Sequence, residues 1–307
     1  MKLVRRQLLA LGSLLAAFPR AAIAGEPRVA LGRFTTTYAI DTEHKTRAFN
    51  VELAAEAVDG RTIAPGATFS FNDAVGERTA AFGYAKSVVL RDGMLAEGVG
   101  GGACQVASTL HAAALLAGLD VVARAPHSRP SAYIRMGLDA TVAFPKVDLR
   151  LKNSGVVAVV LHARAARGVL EVWIDARGTV RPDVSLQSEI LDRTPFARVV
   201  ERDRAITDDK AHRKAFGIPG YRVRRTREVR AADGSVRRDV RIDVYPPTNE
   251  IVRVAPSFDE SRLGARSGDE DEDEAAPAEI VVEPGAARPV RVQVRPTAVV
   301  TLDNGGP

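Results

Sequence analysis

The chain of 307 residues contains a single cysteine, Cys104. One thiol can form no intramolecular disulfide, which excludes a disulfide scaffold and a multi-cysteine metal cluster alike. The five histidines, His44, His111, His127, His162 and His212, include no closely spaced pair of the kind a zinc site uses, so no metal and no cofactor is expected. Aromatic residues make up only 5% of the chain and do not interleave with its basic stretches, which argues against nucleic acid as a partner. After residue 24 no segment reaches the roughly 18 apolar residues needed to cross a bilayer. There is no internal repeat.

What is present is enough apolar material for a proper core, 46% of residues, and room for one large or two modest domains. Basic residues near the start (Lys2, Arg5, Arg6), an apolar run from Leu8 to Phe18 and the triplet Ala22-Ile23-Ala24 read as a signal peptide over residues 1–24. Arg5-Arg6 suits a twin-arginine leader as well as the ordinary secretory one. The expected location is therefore periplasmic or extracellular. In such an oxidising compartment an unpaired cysteine is either buried or kept as a reactive thiol.

The stretch from Gly98 to Asp139 concentrates the chemistry. Three glycines, Gly100, Gly101 and Gly102, precede a segment from Cys104 to Leu116 free of Pro and Gly, with Gly118 as a stop signal, and the pattern predicts a helix with Cys104 in its first turn. Free N–H groups and the positive end of the macrodipole favour a thiolate there. His111 lies seven residues on, roughly 10 Å along the axis, and cannot take the thiol proton; it is expected to be structural. His127, exposed-looking in a loop between Pro126 and Pro130, can return to the helix start, and Asp139 opens an alternating run, Asp139 to Phe144, whose strand would orient the imidazole. Cys104, His127 and Asp139 are thus candidate nucleophile, base and orienter. Gly101, Gly102, Gln105 and Ser128 are candidates for holding the oxyanion or substrate. The alternatives are an inert small hydrophobe for Cys104, a loop histidine capping carbonyls for His127, and a turn cap for Asp139.

Elsewhere the pattern gives a first strand over Gly32 to Tyr38, a short helix from Asn50 to Val58 capped by Asn50, and an alternating strand with Phe69 and Phe71 inward. Another strand runs over Ser87 to Leu90, turned by Arg91-Asp92-Gly93. A meander over Val147–Leu151, Val156–Ala163 and Val169–Asp175 would pack on the Cys104 helix. From Gly178 the composition turns towards Arg and Asp. Residues Glu201 to Lys214 are read as helical, and Tyr221–Val229 with Val236–Tyr245 as a long hairpin around Asp233-Gly234. The expected class is α+β, a central helix starting at Cys104 on a mostly antiparallel sheet followed by a β-rich C-terminal segment. Boundaries fall at 25–177 for the core, 178–256 for the β-rich segment and 257–307 for a disordered tail. The tail is rich in Pro and acid, with at most a loose strand at Val290 to Val294.

The combination Pro65-Gly66-Ala67-Thr68-Phe69-Ser70-Phe71-Asn72, Gly76-Glu77-Arg78-Thr79, Gly83-Tyr84, Gly100-Gly101-Gly102-Ala103-Cys104-Gln105-Val106, His127-Ser128 and Gly137-Leu138-Asp139-Ala140-Thr141-Val142 resembles the VanW family over roughly residues 34 to 165. The resemblance implies a bacterial envelope-associated protein, related by the family's name to glycopeptide resistance. Two departures are visible: Ala107-Ser108-Thr109 follows Gln105 where the family carries Ser-Thr-Thr or similar, and His111 stands where it has an aromatic. The order Cys, His, Asp is also similar to that of papain-like enzymes and transglutaminases.

Net charge is +5 although six consecutive acids, Asp269 to Glu274, sit in the tail, so the rest is more basic than the sum. Nine arginines lie between Arg222 and Arg253 against five acids. Arg222, Arg224, Arg225 and Arg227 are candidates for contact with an anionic envelope polymer; a solvated strand face is the alternative. Two functions follow: a cysteine-dependent acyl-transfer enzyme acting on a cell-wall amide, or a non-catalytic module binding peptidoglycan or an envelope partner. In either case the partner expected is a cell-wall polymer or peptide, with peripheral contact to the envelope.

Overall fold

In the computed structural model, residues 27–264 are described apart from 92–93 and 231–233. The expected leader at 1–24, the tail from 265 onward and the residues at Asp92-Gly93 and Asp233 lie outside the described residues. No helix among the described residues is long and apolar enough to cross a membrane.

The sequence from Ala103 to Leu116 is apolar on every side, and such a helix must be surrounded by protein. It forms α3, the centre of the structure; α1 is Lys45–Val58 and α2 is Phe71–Val75. From Gln105 to Leu116 every α3 side chain is buried. The helix ends in a Schellman arrangement: Gly118 takes φ +77°, Leu119 N–H donates to the Ala114 carbonyl at 3.0 Å, and Leu119 is itself buried.

Among the described residues, fifteen strands accompany these helices: β1 Arg28–Thr37, β2 Thr62–Ile63, β3 Thr68–Ser70, β4 Lys86–Arg91, β5 Met94–Val99, β6 Asp120–Ala123, β7 Arg150–Lys152, β8 Val159–Ala166, β9 Val169–Arg177, β10 Asp183–Thr194, β11 Arg198–Arg202, β12 His212–Ala215, β13 Gly220–Arg230, β14 Val236–Tyr245 and β15 Glu250–Val254. The sheet β1-β9-β8-β2 is antiparallel and lies against α1 and α3. Its inward residues Leu161, Leu170, Val172 and Ile174 interlock with Val51, Ala54, Ala55 and Val58 of α1 and Val106, Leu110 and Ala113 of α3. The α1 set repeats at i, i+3, i+4 and i+7, one face of a helix. Strands β3-β7-β6 and the pair β4-β5 close the core, while β10-β13-β14 and β11-β15-β12 carry the C-terminal part.

The α+β class with antiparallel sheets agrees with the reading of the sequence, with one parallel pair, β11 with β15. Several details differ. Helix α1 starts five residues before Asn50, whose buried amide instead bridges segments: it donates to the Ala85 and Gly101 carbonyls at 3.0 and 3.1 Å and accepts from Ala85 N–H at 2.8 Å. Residues 201–214 are not helical; β11 and β12 pair with β15, which overrides their polar, helix-compatible composition. The expected meander is broken, because β7 pairs with β3 and β6 rather than with β8. Asp139 to Phe144 forms no strand and is fixed by isolated bridges, Ala125 with Thr141 and Ala143 with Val147. Residues 257–264, expected in the disordered tail, form a 3-10 turn, Glu260–Arg262, with Phe258 buried against Val252 and Val254.

Candidate active site

Helix α3 places Cys104 in its first turn, half-buried. The loop after β6 brings His127 back to it, close enough for each side chain to shift the ionisation of the other. His127 Nδ1 meets Asp139 Oδ2 at 2.8 Å, and the same oxygen accepts the His127 backbone N–H at 2.7 Å. With Nδ1 spent on the carboxylate, Nε2 is the nitrogen left for the sulfur; Tyr133 Oη lies 3.4 Å from it. The sequence made His127 an exposed loop residue, but it is 5% exposed, and Asp139 is 1% exposed. Loop and carboxylate fold over each other, so the imidazole is enclosed on its Asp139 side.

Two contacts bring Asp139 support that the sequence reading did not contain. Arg124 donates from Nη2 to Asp139 Oδ1 at 2.8 Å and from Nε to the Asp139 carbonyl at 2.6 Å. Tyr245, at the end of β14, donates to the same Oδ1 at 2.5 Å and accepts the Gly137 N–H at 2.7 Å. Arg124 pairs in turn with Asp243 at 2.5 Å. A buried carboxylate is tolerable only when paired and hydrogen-bonded, and Asp139 meets that condition four times over.

The electrostatics follow. Burial alone would raise the Asp139 pKa, but His127, Arg124 and Tyr245 hold it well below the usual carboxylate range. Burial would make His127 harder to protonate; its bonds to Asp139 and Cys104 override this and push it up to about 9. For Cys104 burial opposes ionisation, while the hydrogen bond and charge of His127, the Val142 backbone and Arg78 lower it. Val142 N–H lies 3.5 Å from the sulfur. The two shifts point the same way: the charged form of each group favours the charged form of the other. The Cys104 N–H, in the unsatisfied first turn of α3, has no acceptor among the described residues.

Other expectations are corrected. Gln105 cannot hold an oxyanion: buried at 1% exposure, it donates from Nε2 to Thr36 Oγ1 at 3.0 Å and the Thr37 carbonyl at 2.8 Å and accepts from Arg47 at 2.9 Å. Gly101 and Gly102 pack against protein rather than line open space. A Cβ on Gly101 would strike the Val88 carbonyl and Ser87, and one on Gly102, at φ +115°, would meet Val51 at 2.8 Å. The glycine run is thus accounted for by close packing of α1 and β4 on the start of α3. Ser128 is exposed beside His127. His111 is structural as expected: it binds the Leu138 carbonyl at 2.7 Å, and burial lowers its pKa to about 3.

The four hairpin arginines separate by strand period. Arg222 and Arg224 point outward, whereas Arg225 and Arg227 are 3% exposed and share Asp239 at 3.0 Å each. Arg227 also donates to the Leu119 carbonyl at 2.7 Å. These two tie the hairpin to the core and are unavailable to a polymer. Alternation along β13 was a usable signal, since residues of odd and even number face opposite ways.

Residues 46–174 match the family model described as VanW like protein. This segment is similar to VanW-family proteins. It contains Cys104, His127 and Asp139 but stops before Tyr245. The chain is 40% identical over 144 residues to the uncharacterized protein YoaR of Bacillus subtilis, covering 47% of each chain. It is 31% identical over 114 residues to the vancomycin B-type resistance protein VanW of Enterococcus faecalis, covering 36% of this chain and 42% of the relative. The chain thus spans less than half the length of these curated relatives. A solved IgA1 protease G5 domain is similar at 17% identity over 24% of this chain and 92% of that one, with a TM-score of 0.18.

Proposed function

We propose that the VanW-like segment of this chain carries a cysteine-dependent acyl-transfer site. The observation that carries this is the juxtaposition of Cys104 with a His127 that is hydrogen-bonded to Asp139, ordered as nucleophile, proton carrier and orienter and closed by Arg124 and Tyr245. Structural cysteines do not need a protonated, carboxylate-bound imidazole at the sulfur.

In this reading the Cys104 thiolate attacks an amide carbonyl, and the oxyanion of the tetrahedral adduct accepts a hydrogen bond from the Cys104 N–H. His127 gives its proton to the leaving amine as the C–N bond breaks, leaving an acyl thioester. Water, or a second amine, then attacks the thioester; His127 takes the proton and the thiolate departs. Asp139 stays ionised throughout and stabilises the imidazolium. A cell-wall amide is the substrate class proposed, because the leader expected at 1–24 exports the chain and the Enterococcus relative carries a vancomycin-resistance name.

The test is acylation of the purified protein by activated thioester or amide peptides, followed by intact mass. A stoichiometric adduct lost in Cys104→Ser and trapped in His127→Gln supports the reading; equal labelling of the Ser variant overturns it.

A second reading, a non-catalytic envelope-binding module, is favoured by the outer face of the hairpin sheet. Val240, Ile242 and Val244 stand roughly half exposed on β14, and register sets Val244 opposite Arg222 and Ile242 opposite Arg224. Under it, Cys104→Ser would keep wall retention, and Arg222→Glu with Arg224→Glu would abolish it.

A further inference from the structure

Two guanidinium groups near enough to feel the Cys104 charge have no ion-pair partner among the described residues. Arg47, in the first turn of α1, lies against Gly102: a Cβ there would come within 3.1 Å of the Arg47 carbonyl. Arg78 lies against Gly100, whose Cβ would come within 2.5 Å of the Arg78 Cβ. The glycine run therefore packs against both arginine residues, through Gly102 and Gly100, two and four residues before Cys104.

Each is held by neutral oxygens. Arg47 gives Nη2 to the Gln105 amide at 2.9 Å and stacks its guanidinium 5.9 Å from the centroid of Tyr133, the ring that touches His127 Nε2. Arg78 gives Nη1 to Asn72 Oδ1 at 2.7 Å and the Gly76 carbonyl at 2.9 Å. Neither forms an ion pair among the described residues, in contrast to Arg28, Arg33, Arg124, Arg198 and Arg213. Asp148, the acid felt by Arg78, is engaged with Ser70 Oγ at 2.7 Å and Asn72 N–H at 2.9 Å. The remaining nitrogens of both arginines carry no bond yet are not sealed from solvent. Burial lowers the pKa of both, and the Cys104 charge offsets part of that. Holding two half-buried cations beside a reactive sulfur is costly unless an anion completes them, and planar N–H donors suit a carboxylate.

We propose that the substrate is a peptide with a free carboxylate next to the amide that Cys104 attacks, and that Arg47 and Arg78 hold this carboxylate. The inference rests on the acyl-transfer reading. Arg47 sits on the Tyr133 side, where His127 delivers its proton, which places the carboxylate on the departing fragment: the site would remove or exchange a C-terminal residue.

The single cysteine makes the test direct, because a haloacetyl reagent has one thiol to find. The full chain is alkylated with iodoacetate, which carries a carboxylate, and with iodoacetamide, its neutral isostere. The ratio of the two rates cancels any change in thiol reactivity. N-acetylcysteine run alongside gives the ratio without a pocket. For the native chain the ratio should exceed that reference by about tenfold, and it should fall to the reference in Arg47→Gln/Arg78→Gln. Arg47→Lys/Arg78→Lys should keep part of it, and Arg164→Gln/Arg181→Gln, an equal charge loss at two exposed positions, should leave it unchanged. A native ratio at the reference, with fast iodoacetamide reaction at neutral pH, overturns the carboxylate inference alone. Slow reaction with both reagents overturns this inference and the acyl-transfer reading together. A drop in the Arg164→Gln/Arg181→Gln variant equal to that in Arg47→Gln/Arg78→Gln assigns the effect to net charge and overturns the proposal. Circular dichroism on each variant confirms the fold; if the Gln pair unfolds, the Lys pair and the native ratio decide.

Discussion

Tyr245 donates a 2.5 Å hydrogen bond to Asp139 from 106 residues further along the chain. The same hydroxyl accepts the Gly137 N–H, so it fixes both the carboxylate and the turn that presents it. Tyr245→Phe leaves both groups short of a partner in a buried place. It should destabilise the protein by about 1–3 kcal/mol in urea unfolding and raise the pH at which Cys104 is alkylated. An unchanged alkylation profile would mean that the tyrosine supports the fold without bearing on the sulfur.

The Cys104–His127 pair should show itself in the same profile. Alkylation by iodoacetamide in the native chain should rise with an inflection below the ordinary thiol value of about 8.5. In His127→Gln the sulfur loses its largest ionising partner while burial remains, and the inflection should move above that value. Two superimposable profiles would remove the histidine from the chemistry.

Stability should respond to pH at both ends. Asp139 has a folded pKa held down, so its contribution is present above its unfolded value, about 4, and is lost as pH falls below it. The stability gap between native protein and Asp139→Asn should therefore shrink in acid. His127 has a folded pKa raised to about 9, so its contribution is complete below about 6.5 and fades as pH rises through 9. Native protein should lose its advantage over His127→Gln across that alkaline interval. Parallel curves at either end would contradict the corresponding shift.

Gly101→Ala should cost about 1–3 kcal/mol through collision with the Val88 carbonyl and Ser87. At the temperature where the variant is folded, Cys104 should alkylate at a rate within about threefold of native, a difference of less than 1 kcal/mol. A stable variant with a dead thiol would return the glycine to a part in substrate binding.

Asp239→Ala should cost about 1–3 kcal/mol, because Arg225 and Arg227 would then be buried without their shared acid, a penalty reduced by the partial exposure of Asp239. Arg222→Glu and Arg224→Glu, outward on the same strand, should change stability by less than about 0.5 kcal/mol. Equal effects at all three positions would refute the division of the strand into two faces.

The parts legible in the sequence were those written locally. Helix α3 announces itself by thirteen residues from Cys104 without Pro or Gly and by the Gly118 stop, and the hairpin by two alternating runs. The pairing of His127 with Asp139 followed from order along the chain. Arg124 and Tyr245 left no local mark: an arginine at a strand end and a tyrosine before two prolines gain meaning only when β14 docks on the loop after β6. The helix expected at 201–214 failed for a similar reason, since β15, the strand that claims it, lies more than thirty residues downstream of the segment's end.

The inward positions of β14 are Arg237, Asp239, Arg241, Asp243 and Tyr245, and they meet Asp120, Arg225 with Arg227, the Arg124 carbonyl, and the Arg124 and Asp139 side chains. Signs alternate along that row. A slip of one residue would turn the row to water, and a slip of two would set like charges together. The hairpin can therefore seat on the domain in one register alone, and the setting of Asp139 against His127 is keyed to it as a lock is to the cut of a single key.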